Sequence, residues 1–217
     1  MPPCQIQEYM MKKVIVLHIV FLLCGFYVAQ AQNTDTTDVG VVINGVKWAT
    51  RNVDAPGTFA ATPEDVGMLY QWNRKTAWSA IEPKEHFILD DWNNTIPIGD
   101  TWEKVNDPCP SGWRVPAMWE IAYFLEVVKV DKELIVLNDM NGYKITDKIT
   151  GNSIFLPAVG HRSSVAGSLS YAGFAGFYLS STHSNGDFAY ALCAHNGSIS
   201  IYNSYLTDGL SVRCVAE

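Results

Sequence analysis

The sequence predicts an α+β domain of short antiparallel strands, one or two helices and long loops. Three observations carry that expectation. Short apolar runs alternating at period two recur between Gly, Pro and Asn turn residues, as in Ser198-Ile199-Ser200-Ile201-Tyr202. A helical apolar face occurs after Pro116, where Ile121, Phe124, Leu125 and Val128 fall at i, i+3, i+4 and i+7. Seven Trp and ten Tyr stand against 17% charged residues, which suits β and loop structure.

Taken in order, the chain opens on an export signal. Met11-Lys12-Lys13 begins a basic region, an apolar run follows from Val14 to Ala29, and Ala29-Gln30-Ala31 supplies a small-x-small cleavage site. Residues 1–31 are therefore expected to be a signal peptide, with residues 1–10 upstream of a true start at Met11. A run of about 16 apolar residues is short for a membrane span, and Leu23 before Cys24 is too bulky for lipoprotein processing. The mature protein is expected to be exported: at the cell surface, outer membrane-associated or extracellular. Without Glu8, Lys12 and Lys13 it keeps 13 basic and 21 acidic residues, a net charge near −8. No basic patch remains, so nucleic acid and anionic membrane surfaces are poor partners.

Residues 32–40 are polar and turn-rich, a short linker before a domain over 41–217. Asn44-Gly45 centres a hairpin over 41–49, and Met68-Leu69-Tyr70-Gln71-Trp72-Asn73 is a second strand region. From Ala77 to Pro108 the chain reads as loop, pinned by Trp78, Trp92 and Trp102. Residues 107–116 form two turns around a short strand, and the helix follows, with Ala117 a weak cap. Residues 131–154 read as an insertion with a strand around Tyr143-Lys144-Ile145. Further strands are expected at 154–158, 176–181, 188–193, 198–202 and 210–215.

The mature chain keeps Cys109, Cys193 and Cys214, so an oxidising compartment implies one disulfide and one remaining thiol. A bridge between Cys109, in a Pro-flanked turn, and Cys214, in the last strand, would close a loop of about 100 residues. Cys193 lies amid polar residues and is the better odd one out.

The last third of the chain has a composition of its own. From Ser163 to Val212 there is no Lys or Arg, and the acids are Asp187 and Asp208 alone. Ser, Tyr, Asn, Gly and Ala fill the stretch between apolar ends, as in a display surface. Exposed Tyr offers large contact area at low entropic cost. The expected ligand contacts are Ser164, Ser170, Tyr171, His183, Asn185, His195, Asn196, Tyr202, Asn203 and Tyr205.

Catalytic and metal chemistry find less support. His161, His183 and His195 with Cys193 lack ligand spacing and read as solvent-exposed loop residues. No Gly-x-Ser-x-Gly elbow is present. Phe177 and Phe188 are expected to pack inward, and Arg114 and Arg213 to pair with buried carboxylates or carbonyls. No catalytic residue, metal or cofactor is expected.

Six ordered blocks carry a resemblance. They are Gly45-Val46-Lys47-Trp48-Ala49-Thr50-Arg51-Asn52-Val53, Gly67-Met68-Leu69-Tyr70-Gln71-Trp72-Asn73, residues 107–116 (Asp-Pro-Cys-Pro-Ser-Gly-Trp-Arg-Val-Pro), Leu156-Pro157-Ala158, Tyr178-Leu179-Ser180-Ser181-Thr182 and Gly209-Leu210-Ser211-Val212-Arg213-Cys214-Val215. Together they resemble the Fibrobacter succinogenes major paralogous domain of exported Bacteroidetes proteins, over about residues 40–216. Leu179 departs from that pattern, which usually has Trp there. The resemblance implies a C-type-lectin-like fold with paired N- and C-terminal strands, and it supports the Cys109–Cys214 bridge. Trp72-Asn73-Arg74 and Trp92-Asn93-Asn94 lack the acid of calcium-dependent sugar binders. Some relatives on this fold are diversified by retroelements, which implies a variable binding surface over 161–208. The expected function is a non-catalytic, secreted or cell-surface recognition domain for a protein or glycan ligand. The alternative is a structural or adhesive component of a cell-envelope assembly.

Overall fold

The N-terminal and C-terminal strands lie side by side. Strand β1 (Val41–Ile43) turns at Asn44-Gly45 into β2 (Val46–Trp48), and β2 pairs with the last strand, β15 (Val215–Ala216), through Trp48 and Val215. Strand β5 (Trp113–Arg114) completes this four-stranded sheet on the far side of β15. The computed structural model describes residues 37–81 and 91–217. The expected signal peptide, and linker residues 32–36, lie outside the described residues.

A six-stranded sheet forms the centre, in the order β13-β12-β11-β14-β3-β4. Its members are β3 (Met68–Tyr70), β4 (Ala77–Ser79), β11 (Ala175–Asn185), β12 (Phe188–His195), β13 (Ser198–Tyr205) and β14 (Leu210–Ser211). All of its pairings are antiparallel except β11 with β14, which is parallel through Tyr178 and Ser211. Alternation along β12 sends Leu192 and Ala194 into one core and Ala189 and Ala191 into another. The central sheet is thus covered on both faces. The first core also takes Trp48 and Phe124, whose rings lie 4.2 Å apart. The second takes Tyr70, Trp72, Leu179 and Cys214.

Several expectations change here. The helix α1 is short, Met118–Ala122, and continues only as a 3₁₀ turn over Tyr123–Leu125. Ala117 has no oxygen to cap it, but Glu120 reaches back and accepts the Ala117 N–H at 2.8 Å. Val128 does not extend the apolar face; it is 85% exposed, because the chain has already left the helix for the strand that begins at Val130. The supposed insertion over 131–154 is a regular hairpin. Strands β6 (Val130–Leu137) and β7 (Met140–Asp147) turn at Asn138-Asp139, both at positive φ, and β7 pairs with β8 (Ser153–Pro157). The expected loop over 77–108 contains β4, and another 3₁₀ turn at Lys104–Asn106.

The indoles do pin that region. Trp92 is buried, 4.7 Å ring to ring from Trp78, and sits over Gly167 and Gly209. A Cβ at Gly167 would lie 2.6 Å from the Trp92 ring, so glycine is required there on steric grounds. Cys109 and Cys214 form a disulfide, with Cα atoms 6.1 Å apart, and Cys193 is the free thiol among the described residues.

Candidate functional site

Strands β9 (His161–Arg162) and β10 (Leu169–Ser170) form a small hairpin beside the central sheet. It carries the polar segment back over the face that Phe177, Cys193 and Tyr202 share. Those residues align by register: Phe177 stands opposite Cys193 and Cys193 opposite Ser200, while Tyr202 pairs with Ala191 two positions along. Tyr171 follows β10 at φ +60, and its ring lies over this face.

The result is an aromatic and histidine patch. Tyr171 stacks on His161 at 5.9 Å with an 18° interplanar angle, and meets His195 at 6.0 Å. Phe177 fills the middle, 4.6 Å from His161 and 5.6 Å from Tyr202. Tyr171 is 55% exposed, whereas His161, His195 and Tyr202 are half-buried. The patch therefore has a wet ring on top and a desolvated floor.

Burial sets the chemistry of that floor. It pushes the Tyr202 hydroxyl and the Cys193 thiol above their ordinary pKa values, so both stay protonated and Cys193 is no activated nucleophile. It also lowers the His161 pKa, an effect that the nearby Asp208 charge opposes. The His161 Nδ1 atom is buried without a hydrogen-bond partner among the described residues. His161 is thus favoured neutral, and its stabilising contribution is full above the unfolded value of about 6.5. As pH falls below that value the unfolded chain takes up the proton first, and the contribution is lost. The melting temperature is expected to fall between pH 7.5 and pH 5.5, and less steeply in His161→Phe. Parallel profiles for the two proteins would rule this out.

Three of the ten expected contacts, Tyr171, His195 and Tyr202, belong to the patch. Others serve the frame. The Ser164 N–H donates to Asp208 Oδ1 at 2.6 Å, while Asp208 Oδ2 accepts from Ser204 Oγ and the Tyr205 N–H. Ser170 lies in the β9–β10 hairpin, opposite His161. Asn196 sits at φ +50 beside Gly197 in the β12–β13 turn, a position its residue type suits for backbone reasons. Asn203 and Tyr205 project from the opposite side of β13, where Tyr205 packs on Phe188 at 4.5 Å. Asn185 is exposed at the end of β11, next to them.

The three histidines are strand residues and half-buried, which corrects their reading as exposed loop residues. Composition alone could not separate a strand of Ser, Ala and His from a loop. His161 and Phe177 enter the patch unforeseen, although the alternation of 175–179 against 191–195 carried the signal for Phe177.

His183 lies elsewhere. The pairing of β11 with β12 shifts register between Leu179 and His183, and this bulge turns residues 181–183 toward a cleft of about 760 Å³. Trp102, Trp113 and Arg114 also line it. Arg114 is committed to Glu120 by two bonds of 2.8 Å, and Arg213 is bound to Asn52 Oδ1 and the Ala49 carbonyl.

No family model, no curated protein and no solved structure matches the chain. Among the described residues no helix is long and apolar enough to cross a membrane, and no three His, Cys, Asp or Glu side chains converge on a metal-sized site.

Proposed function

We propose that this chain is a non-catalytic recognition domain, exported, which reads a protein or glycan ligand with the Tyr171–His195–Tyr202 patch. One observation carries the proposal. The rings of Tyr171, Phe177, His195 and Tyr202 converge on one sheet face inside a segment, 163–212, that holds no Lys or Arg. Rigid rings with adaptable Ser and Asn neighbours are the composition of a contact surface rather than of a pocket for proton transfer. The protonated Cys193 and the desolvated His161 fit the same reading.

The C-type-lectin-like fold belongs to this proposal. The pairing of β2 with β15 and the bridge from the pre-helix turn to Cys214 support it, beside the six sequence blocks. Retroelement-driven variation of 161–208 is the genetic counterpart, and it would act on β9 to β13.

The test is a screen of residues 32–217 against glycans and surface proteins, followed by single alanines at Tyr171, His195 and Tyr202. Centrally placed aromatic contacts are worth about 2 kcal/mol or more, so affinity is expected to fall roughly 30-fold for the strongest of the three. Tyr205→Ala, on the other side of β13, should matter less. Unchanged affinity in all three patch variants would remove the assignment.

The alternative, a component of an envelope assembly, draws on a different feature. Strand β6 is an eight-residue edge of the three-stranded sheet, with Leu134 and Val136 exposed. Such an edge is a template for strand addition. Concentration-dependent association that Val136→Lys abolishes would favour that reading over the first.

A further inference from the structure

We propose that the cleft between the bulge of β11 and strand β5 is a second binding site, for a neutral oligosaccharide. This inference stands apart from the patch reading, because His183 is the one expected contact that lines the cleft. The volume of about 760 Å³ is within the range of small-ligand sites, and the walls are mixed polar and aromatic.

Charge decides the ligand class. Among the described residues, three cations and three carboxylates line the cleft: Lys75, Lys104 and Arg114 against Asp100, Asp107 and Glu217. Most are already matched. Lys104 Nζ lies 2.8 Å from Glu217 Oε1, Arg114 is held by Glu120, and the two Asp107 oxygens accept the Cys109 and Val115 N–H groups. Among the described residues Lys75 and Asp100 remain, one of each sign. An anion or a cation would meet no excess charge to pay for its desolvation. An uncharged ligand rich in hydroxyls keeps its hydrogen bonds and loses little.

The indoles supply the rest. Trp102 and Trp113 are half-buried, so each keeps surface for a ligand while the protein fixes its angle. Trp72 meets Trp102 edge-on at 5.6 Å; Phe59 meets Trp113 edge-on at 5.7 Å, with Lys47 Nζ 5.9 Å from the same ring. Rings held this way need no ordering when a ligand arrives. The C–H faces of a pyranose pack on such rings while its hydroxyls reach side chains at the rim. Few other neutral ligands combine apolar faces with so many polar edges.

The experiment titrates residues 32–217 with neutral hexasaccharides of glucose, xylose, mannose and galactose, read by calorimetry and by indole fluorescence. At least one is expected to bind saturably and to perturb the indole emission. Trp113→Ala should weaken it at least tenfold. Ser111→Trp, at an exposed turn position on the rim, should block the cleft without touching either core. Tyr171→Ala should leave this binding unchanged. Absence of binding by all four sugars overturns the proposal. So does binding that survives Ser111→Trp, and loss in Tyr171→Ala alone would hand the sugar to the patch instead.

Discussion

Replacing both Cys109 and Cys214 by alanine is expected to destabilise the protein by about 4 kcal/mol. The two cysteines are 105 residues apart, so the bridge removes a large loop-closure entropy from the unfolded chain. For a domain of this size the loss corresponds to a fall in melting temperature on the order of 10 °C. Cys214 is fully buried in the second core, beside Val115 and Val212, so its truncation adds a small packing loss. The effect is local as well as global. Cys109 belongs to the 107–116 turn that walls the cleft, and without the bridge the turn relies on the Asp107 carboxylate contacts, the β5–β15 pairing and the backbone bonds of Gly57 to Pro108 and Ser181 to Pro116. Thiol titration provides the companion measurement. Denatured but unreduced residues 32–217 should show one reactive thiol, Cys193, and three after reduction. A change in melting temperature below roughly 2 °C would mean that the bridge constrains little.

How far the sequence alone reached depends on what kind of signal each element carried. The Asn44-Gly45 hairpin, the bridge and the start of the 68–73 strand, which ends at Tyr70, were legible because turn chemistry, cysteine count and alternation are read directly from the residues. The β6–β7 hairpin was half legible. Its turn dipeptide, Asn138-Asp139, suits positive φ as Asn44-Gly45 does, but charged residues along β6 disguised the strand as an insertion. The short helix failed for another reason. Ile121 and Phe124 pack inward as their spacing implies, but Leu125 is only partly buried and Val128 is exposed. Four matching positions are too few to show where a helix stops. At the candidate site, residue types were right for Tyr171, His195 and Tyr202. Their convergence with His161 depends on β9 returning beside β11 and on Gly160 at φ +80. A Cβ at Gly160 would sit 2.3 Å from the Ser170 carbonyl, a crossing that single-sequence periodicity does not reveal. The cleft was invisible for a similar reason, since residues near 75, 102, 113, 182 and 217 meet only in three dimensions.

Arg162→Met is expected to cost about 3 kcal/mol or more and to weaken patch binding although Arg162 touches no ligand. The side chain is fully buried. Its Nε donates to the Ser79 carbonyl at 2.7 Å, Nη1 to Gly167 at 2.6 Å and Nη2 to Ile81 at 3.1 Å. Methionine fills much of the same volume but removes the donor from the Ser79 and Gly167 carbonyls, while Ile81 keeps its 3.2 Å bond from Ser79 Oγ. Replacing a buried charge by an apolar residue is often harmless when its partners are replaced with it. These carbonyl partners are backbone and cannot be replaced, so the two acceptors left without a donor, at Ser79 and Gly167, set the cost, each about 1–3 kcal/mol. The consequence for function follows from position. Its backbone bonds to Gly209 and its pairing with Leu169 survive any substitution, but the guanidinium adds the ties to Ser79 and to Gly167 in the β9–β10 loop, and these fix the hairpin that delivers His161 and Tyr171 to the sheet. Arg162→Lys should recover only part of the stability, because one ammonium cannot serve three carbonyls in the guanidinium geometry. The cleft lies outside this network, so sugar binding there should persist in both variants at temperatures where they remain folded. A methionine variant as stable as the parent, with unaltered patch affinity, would show that the backbone bonds to Gly209 and the β9–β10 pairing hold the hairpin without the guanidinium.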